Sequence, residues 1–145
     1  DAAGVDPWLV LAVSRQESTF RSGITSKSGA MGVMQLMPDT AKWLAKKNPL
    51  VQPGDADNLK SPQSSMRMGA AYLHQMLERS NGNLVFALAS YNAGPGNCDK
   101  WRKTFSGDDM DAFIEAIPFS ETKDYVKRVL GNYAAYHTLY PIPAS

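Results

Sequence analysis

A glutamate near the start of the chain, Glu17 in the stretch "SRQESTF", stands where a helix should bury apolar side chains. Leu9, Val10 and Val13 form an apolar stripe at helical spacing. Glu17 lies four residues beyond Val13, and Phe20 follows three residues later. An ionised carboxylate against apolar neighbours is costly. Glu17 must therefore pair with a charged residue, lie at the solvated rim of the domain or stay protonated. A carboxyl group in apolar surroundings has a raised pKa and can act as a general acid near neutral pH.

The simplest alternative for Glu17 is a carboxylate at the rim of the domain, paired with Arg15 or Arg21. The first helix taken alone favours this ion pair, because a glutamate is seldom buried without a partner. The surroundings of Glu17 in the fold therefore decide between an acid and an ion pair.

The stretch "SGAMGVMQLMP" joins glycines, methionines and a glutamine in a turn that leads into a helix. Glycines permit close backbone approach to a ligand, and Gln35 can both donate and accept hydrogen bonds to a sugar or an amide. Met31, Met34 and Met37 taken alone are expected to fill the core rather than to contact a ligand.

Two later stretches place polar and aromatic side chains at helix ends. In "ALASYNAGPGN", Tyr91 and Asn92 end an apolar helix just before a Gly/Pro turn, where a loop could meet a cleft. Simple capping of the helix by Asn92, with Tyr91 half-buried, explains that pair equally well. In "FSETKDY", Glu121 and Tyr125 lie four residues apart on one helix face. A surface role favoured by the helix dipole is the leading alternative for Glu121.

Composition argues against several other kinds of site. The single Cys98 excludes an internal disulfide, and no residue near it indicates an activated thiol. Only His74 and His137 could supply imidazole ligands, so we predict neither a metal site nor a cofactor. A net charge of +1 without clustered Lys or Arg predicts no nucleic-acid partner.

The elements that must position these residues are helices, because helical periodicity recurs along the chain and strand-type alternation is almost absent. With 145 residues and 43% hydrophobic content, residues 1–145 are expected to form one domain. No apolar run reaches the roughly 18 residues that span a bilayer. We expect any targeting peptide or neighbouring domain to lie outside these residues.

The first half of the chain carries clear start and stop signals. Asp6 can cap the first helix, and Pro7 suits its first position. Residues 21–33 are rich in Gly and Ser and predict an irregular surface loop rather than a packed element. Pro38 begins a second helix, which ends before Pro49.

A connection over residues 48–62 leads to a long central helix that residues 61–62 cap and begin. Residues 69–70 predict a small-residue contact on that helix, and Asn81-Gly82 predicts its end. The remaining predicted helices comprise a short apolar one ending near Asn92, two more around residues 98–105 and 108–117, and a final one from Ser120.

Taken in order, four stretches resemble the lytic transglycosylase domain of the goose-type lysozyme superfamily. They are "ESTF", "GAMGVMQLMP", "ALASYNAGPGN" and "IPFSETKDYVKRVLGNY", and the resemblance runs from about Asp6 to Tyr136. Val33 departs from the leucine common in the family, a volume change that should matter little. The resemblance implies a mostly α, lysozyme-like helical domain with a cleft that binds the glycan strands of peptidoglycan.

The resemblance also implies roles for single residues. Glu17 matches the catalytic acid of the family. Seven residues match positions that line the cleft and bind substrate: Ser26, Gln35, Met37, Tyr91, Asn92, Glu121 and Tyr125. A monomer of the bacterial cell envelope is expected, either periplasmic or anchored to a membrane through a segment outside this chain.

The kind of reaction follows from an absence in the sequence. The interval from Ser18 to Val33 contains no Asp or Glu, whereas the hydrolytic members of the superfamily carry acidic residues there. The resemblance therefore implies lytic transglycosylation, in which the β-1,4 bond between N-acetylmuramic acid and N-acetylglucosamine breaks and a 1,6-anhydro-N-acetylmuramic acid end forms. The alternatives are a hydrolytic muramidase or chitinase-like enzyme that uses water held by Glu121 or Ser26, and an inactive glycan-binding or secretion-scaffold domain.

Overall fold

The computed structural model describes residues 4–49, 51–52 and 54–140, and this part of the chain is built from helices and loops without a β-strand. A 3₁₀ helix covers Asp55–Asp57. The α-helices are α1 (Pro7–Ser18), α2 (Pro38–Lys47), α3 (Pro62–Arg79), α4 (Leu84–Ala93), α5 (Pro95–Thr104), α6 (Met110–Glu115) and α7 (Ser120–Leu139). The prediction of a mostly α fold is confirmed. Leu50 and Pro53 of the predicted connection lie outside the described residues.

Helix α1 begins as its sequence predicts. The Asp6 carboxylate accepts a hydrogen bond from the Trp8 backbone N–H at 2.9 Å, and Pro7 occupies the first turn. The helix ends after Ser18 because Thr19 and Phe20 both adopt left-handed backbone conformations, with φ values of 52° and 64°. Phe20, which follows Glu17 at helical spacing, lies outside the helix and is 48% exposed, so it does not continue the buried stripe of Leu9, Val10 and Val13.

The central helix α3 has the predicted bounds and Ser61 at its N-cap position, but Ser61 makes no side-chain capping hydrogen bond. The Ser61 hydroxyl contacts the Gln63 side chain at 3.2 Å and does not accept from a backbone N–H of the first turn. The predicted small-residue contact is confirmed at Gly69, because a Cβ there would overlap the Met34 side chain. The helix stops before Asn81, which has a positive φ of 53°.

The segment between α1 and α2 is irregular, as predicted, but part of it is packed rather than lying on the surface. Val33 is 5% exposed and Met34 is fully buried. The Val33 carbonyl accepts from the Ser18 hydroxyl at 2.8 Å, and the Met34 N–H donates to the Ser65 hydroxyl at 3.0 Å. These bonds hold the segment against the end of α1 and the start of α3.

The core lies where α1, α3, α4 and α7 meet. Helix α1 packs along α7, and Asp6 joins the two helices by accepting from the Tyr133 hydroxyl at 2.7 Å and pairing with His137 at 2.6 Å. Helix α4 packs against α3 and α7 and contributes the fully buried Leu88. This packing brings the C-terminal ends of α1 and α4 and the N-terminal part of α7 toward one cleft. None of the described helices is long and apolar enough to cross a membrane.

Candidate active site

A cleft of about 670 Å³ opens where the end of α1, the segment before α2, the end of α4 and the start of α7 come together. All eight residues singled out in the sequence line it: Glu17, Ser26, Gln35, Met37, Tyr91, Asn92, Glu121 and Tyr125. The structure thus brings together residues that lie as much as 108 positions apart in the chain. Their roles toward a substrate stay predictions at this point.

Glu17 does not form the ion pair that the first helix alone favours. No ion pair includes Glu17 within the described residues. The Arg21 Nε donates instead to the Ser18 carbonyl, and Arg15 is exposed. The rim ion pair is therefore wrong, and Glu17 faces the cleft without a cation beside it.

Burial raises the pKa of Glu17 from 4.5 to about 8. The residue as a whole is half-buried because one side of it lines the cleft, but protein surrounds it closely enough for loss of hydration to dominate. The negative charge of Glu121 raises this pKa further, whereas the Tyr125 hydroxyl lowers it. Glu17 is therefore mostly protonated at neutral pH and can donate a proton to a bound molecule.

Two buried tyrosines stand around Glu17, and burial holds the pKa of both hydroxyls well above the ordinary value. Both hydroxyls therefore remain protonated at neutral pH. Each can donate a hydrogen bond but does not give up its proton. The Tyr91 hydroxyl donates to the Met34 carbonyl at 2.9 Å. In the described part of the chain, the Tyr125 hydroxyl has no partner in well-formed hydrogen-bond geometry. It nevertheless lies close enough to Glu17 to lower the pKa of the glutamate.

Asn92 does not cap α4, and Tyr91 is not half-buried, so the capping alternative for this pair is wrong. Asn92 lies inside the helix, which ends one residue later beside Gly94. The Asn92 Oδ1 accepts from the Thr122 hydroxyl at 2.7 Å, and Tyr91 is only 7% exposed. The amide is therefore held by α7 while it lines the cleft.

The opposite wall comes from the irregular segment before α2. The Gln35 Nε2 donates to the Gly32 carbonyl at 2.9 Å and to the Ile24 carbonyl at 3.3 Å. The Ser26 hydroxyl accepts from the Ala30 N–H at 3.0 Å, so both polar side chains also hold their own loop in shape. This wall carries no carboxylate.

The three methionines of this segment have different environments. Met34 is fully buried and Met31 is half-buried against the core, so both act as core residues as expected. Met37 is 42% exposed and lines the cleft, so the expectation that it fills the core is wrong and the position implied by the resemblance is the one observed.

Helix α7 presents one polar face to the cleft. Glu121 is exposed, as a residue favoured by the helix dipole should be, and it lines the cleft as well. Asp124 and Arg128 also line the cleft and were not singled out in the sequence. Their spacing of three and seven residues from Glu121 is the signal that could have found them.

Tyr72 of α3 is another lining residue that the sequence reading missed. Its ring packs against Tyr91 at a centroid distance of 5.2 Å. No motif surrounds Tyr72, so only the packing of α3 against α4 reveals it.

The described residues contain no group of three or more His, Cys, Asp or Glu side chains that could hold a metal ion. Cys98 is buried, and burial raises the pKa of its thiol, which makes it a poor nucleophile. The neutral carboxyl group of Glu17 can transfer a proton in a cleft lined by hydrogen-bonding side chains.

Comparison with known proteins agrees with this geometry. The family described as transglycosylase SLT domain matches residues 1–114. The soluble lytic murein transglycosylase of Salmonella typhimurium is 40% identical over 128 residues, which are 88% of this chain and 20% of the relative. The chain thus spans about a fifth of the length of such relatives.

Two solved structures share the fold. The first is an inactive glutamate-to-glutamine variant of the lytic transglycosylase Slt from Pseudomonas aeruginosa, with 41% identity and a TM-score of 0.86 over 98% of this chain and 23% of that one. The second is the 70-kDa soluble lytic transglycosylase of Escherichia coli, with 36% identity and a TM-score of 0.89 over 94% of this chain and 22% of that one. The lysozyme-like helical fold is confirmed. The chain belongs to the transglycosylase SLT domain family.

Proposed function

We propose that this chain is the catalytic domain of a peptidoglycan lytic transglycosylase with one catalytic carboxyl group, that of Glu17. The observation that carries the proposal is the raised pKa of Glu17, about 8, on the wall of a polar cleft. Family membership supports the kind of reaction, and the inactive relative with a glutamate changed to glutamine is consistent with one essential carboxyl group. The substrate is the glycan strand of peptidoglycan.

In the first step, neutral Glu17 donates its proton to the glycosidic oxygen between N-acetylmuramic acid and N-acetylglucosamine. The bond from C1 of the muramic acid to that oxygen breaks, and the oxygen leaves as the 4-hydroxyl of N-acetylglucosamine. The acetamido oxygen of the same muramic acid supports the positive charge that develops at C1. The Tyr125 hydroxyl, which stays protonated, donates to the new Glu17 carboxylate.

In the second step, the Glu17 carboxylate accepts the proton of the muramoyl 6-hydroxyl. The oxygen attacks C1, a 1,6-anhydro ring closes, and Glu17 returns to its neutral form. No water is consumed, so a single carboxyl group acts first as acid and then as base. Its pKa near 8 suits both roles around neutral pH.

A hydrolytic muramidase is the second candidate, and one observation favours it. The cleft contains two further carboxylates, Glu121 and Asp124, which could hold a water molecule. Both lie on α7, whereas the opposite wall, where hydrolytic members of the superfamily carry acidic residues, has none. We therefore favour the transglycosylase. An inactive binding or scaffold domain is disfavoured because Glu17 and all seven predicted substrate-binding residues line the same cleft.

The remaining parts of the proposal concern the whole protein. A peptidoglycan substrate places the enzyme in the bacterial cell envelope, in the periplasm or anchored to a membrane through a part of the protein beyond these residues. We propose that residues 1–145 form a single domain that acts as a monomer on glycan strands. Neither a nucleic-acid partner nor a cofactor enters the mechanism.

Digestion of purified peptidoglycan, followed by mass analysis, tests the proposal. Products with 1,6-anhydro ends lack the water that hydrolysis adds, and borohydride does not reduce them. Glu17→Gln is the control for a contaminating enzyme. Products with only reducible ends would show a hydrolase, and the absence of any product from a folded domain would favour the scaffold.

A further inference from the structure

We propose that Tyr91 is a positioning residue, whose hydroxyl fixes the turn that carries Gln35 on the cleft wall and does not donate to the substrate. Ser65 of α3 holds the same turn through a second hydrogen bond. The turn comprises residues 31–36 and is called the Gln35 turn. This inference rests on the proposed function, because it assigns a role within the same cleft.

The Gln35 turn has a backbone conformation that its own sequence does not favour. The Met31 N–H donates to the Leu36 carbonyl at 2.9 Å, and the Leu36 N–H donates back to the Met31 carbonyl at 3.1 Å. Between these two residues, Gln35 has a positive φ of 49°, which is uncommon for a residue with a side chain. Such a conformation persists only where the surrounding structure enforces it, and it often marks a functional position.

Tyr91 fixes the backbone at Gln35 through the carbonyl of Met34. The Met34 carbonyl and the Gln35 N–H belong to one planar peptide group, so rotation of this group changes the φ of Gln35. The Tyr91 hydroxyl donates to the carbonyl at 2.9 Å, and the Gln35 N–H donates to the Gly32 carbonyl at 3.1 Å. Hydrogen bonds at both ends therefore hold the group in the orientation that gives Gln35 its left-handed conformation.

The preceding peptide group, between Val33 and Met34, is held in the same way. The Met34 N–H donates to the Ser65 hydroxyl at 3.0 Å, and the Val33 carbonyl accepts from the Ser18 hydroxyl at 2.8 Å. Ser65 is fully buried and Ser18 is 3% exposed, so a buried backbone group would lose its partner if either hydroxyl were removed. Helices α1, α3 and α4 thus all anchor the Gln35 turn.

The contact with Met34 leaves the Tyr91 hydroxyl without a proton to donate to a substrate. A phenol has a single O–H group, and here that group is directed to the Met34 carbonyl. Tyr91 lines the cleft, yet it is only 7% exposed. Gln35 lines the cleft as well, and its backbone conformation depends on the bond that Tyr91 makes. The hydroxyl therefore acts on the substrate through the position of Gln35.

Steady-state kinetics of Tyr91→Phe on soluble glycan strands from peptidoglycan separate positioning from direct donation. This variant keeps the ring and removes the hydroxyl. We expect KM to rise about three- to tenfold, the effect of one neutral hydrogen bond. The value of kcat should stay within about twofold, because Gln35 transfers no proton and a loss of uniform binding raises KM alone. A fall in kcat at unchanged KM would show a hydroxyl that donates in the transition state and would overturn the inference.

Ser65→Ala removes an anchor of the turn at a position that does not line the cleft. We expect the same result as for Tyr91→Phe, a KM raised about three- to tenfold with kcat nearly unchanged. Ser64→Ala is the matched control, because this neighbouring buried serine donates to Asp55 at 2.9 Å and not to the turn. The control should change KM by less than about twofold. Equal effects of Ser65→Ala and Ser64→Ala on KM would refute the anchoring by Ser65.

A double-mutant cycle shows whether Tyr91 acts through Gln35. In the Gln35→Ala background, Tyr91→Phe should change kcat/KM by less than about twofold, because the side chain that it positions is gone. An equal loss in both backgrounds would overturn the inference.

Amide hydrogen exchange gives a readout that does not need turnover. Peptides that cover residues 31–36 should exchange faster in Tyr91→Phe and Ser65→Ala than in the parent, whereas Ser64→Ala should leave them unchanged. Unchanged exchange in both anchor variants would overturn the inference. If the folded parent does not cleave peptidoglycan, the proposed function itself fails. If the parent cleaves it and Tyr91→Phe lowers kcat alone, only the positioning role of Tyr91 fails.

Discussion

Glu17→Gln should abolish cleavage and at the same time stabilise the folded domain at neutral pH. The folded pKa of Glu17 is about 8, against an ordinary value of 4.5, so the folded state binds more protons than the unfolded state between these values. The free energy of unfolding therefore falls as pH rises through this range. Glutamine has a similar shape, stays neutral and avoids that loss.

The size of the gain follows from the pKa. Each unit by which folding raises a carboxyl pKa lowers the free energy of unfolding by about 1.4 kcal/mol at pH values above the folded pKa. At pH 7, a pKa raised from 4.5 to about 8 therefore lowers the free energy of unfolding by at most about 3 kcal/mol. Glu17 lines an open cleft, where water can relax around its carboxylate, so we expect a gain of about 1 to 3 kcal/mol. Near pH 4 the gain should vanish, because Glu17 is then protonated in both states.

Urea unfolding of both proteins at pH 7 and pH 4 measures the stability effect. Asp108→Asn provides a matched control, because Asp108 is an exposed carboxylate in the connection between α5 and α6. This control should change the free energy of unfolding by less than about 0.5 kcal/mol at either pH. A gain for Glu17→Gln that is equal at both pH values would contradict the linkage argument.

Clearing of cell-wall suspensions measures the activity of the same proteins. Removal of a general acid costs about 10²- to 10⁴-fold, and the loss should be larger here because the proposed mechanism also uses Glu17 as the base. A Gln variant as active as the parent would remove Glu17 from the mechanism. An inactive variant that is less stable at pH 7 would show instead that Glu17 is a carboxylate held by native partners.

Three further changes and one control substitution test the site and the core. Glu121→Gln removes a charge that raises the pKa of Glu17, so the alkaline limb of kcat/KM should shift to lower pH. Tyr125→Phe removes a hydroxyl that lowers this pKa, so the same limb should shift to higher pH, and shifts in one common direction would refute the assignment. Gly69→Ala should destabilise the domain by about 1 to 3 kcal/mol, because its Cβ would overlap a buried methionine side chain. Gly131→Ala, in a helix with open space around it, should be neutral or stabilise by up to about 1 kcal/mol, and equal melting temperatures for the two variants would disprove the close contact.

Local signals were sufficient to predict most helix boundaries. Proline occupies the first turn of α1, α2 and α3 as predicted, and the predicted stop at Asn81-Gly82 follows the end of α3. These signals act within a few residues of the chain, so they can be recognised without knowledge of the fold. Ser61 occupies the predicted N-cap position, but its hydroxyl donates to the Gln63 side chain and accepts from no backbone N–H of the first turn, which periodicity does not reveal.

The membership of the cleft was only partly predictable. Helical spacing put Glu121 and Tyr125 on one helix face, and the family resemblance implied that this face lines the cleft. The same spacing could have found Asp124. Tyr72 and Thr122 gave no such sign, because each matters through a contact with α4 that depends on helix packing. Exposure of Met37 and burial of Met34 likewise depend on how the segment before α2 folds over α1 and α3.

The sequence by itself determined that this protein is helical, where most of its helices begin and end, and which family motifs it carries. Tertiary structure alone decided that Glu17 is a neutral acid rather than half of an ion pair. Helical spacing places Glu17 on a stripe, but its pKa depends on the hydration lost when α4 and α7 close around it. Desolvation and charge act through space between groups more than 100 residues apart, such as Glu17 and Glu121, and these distances exist only in the folded chain.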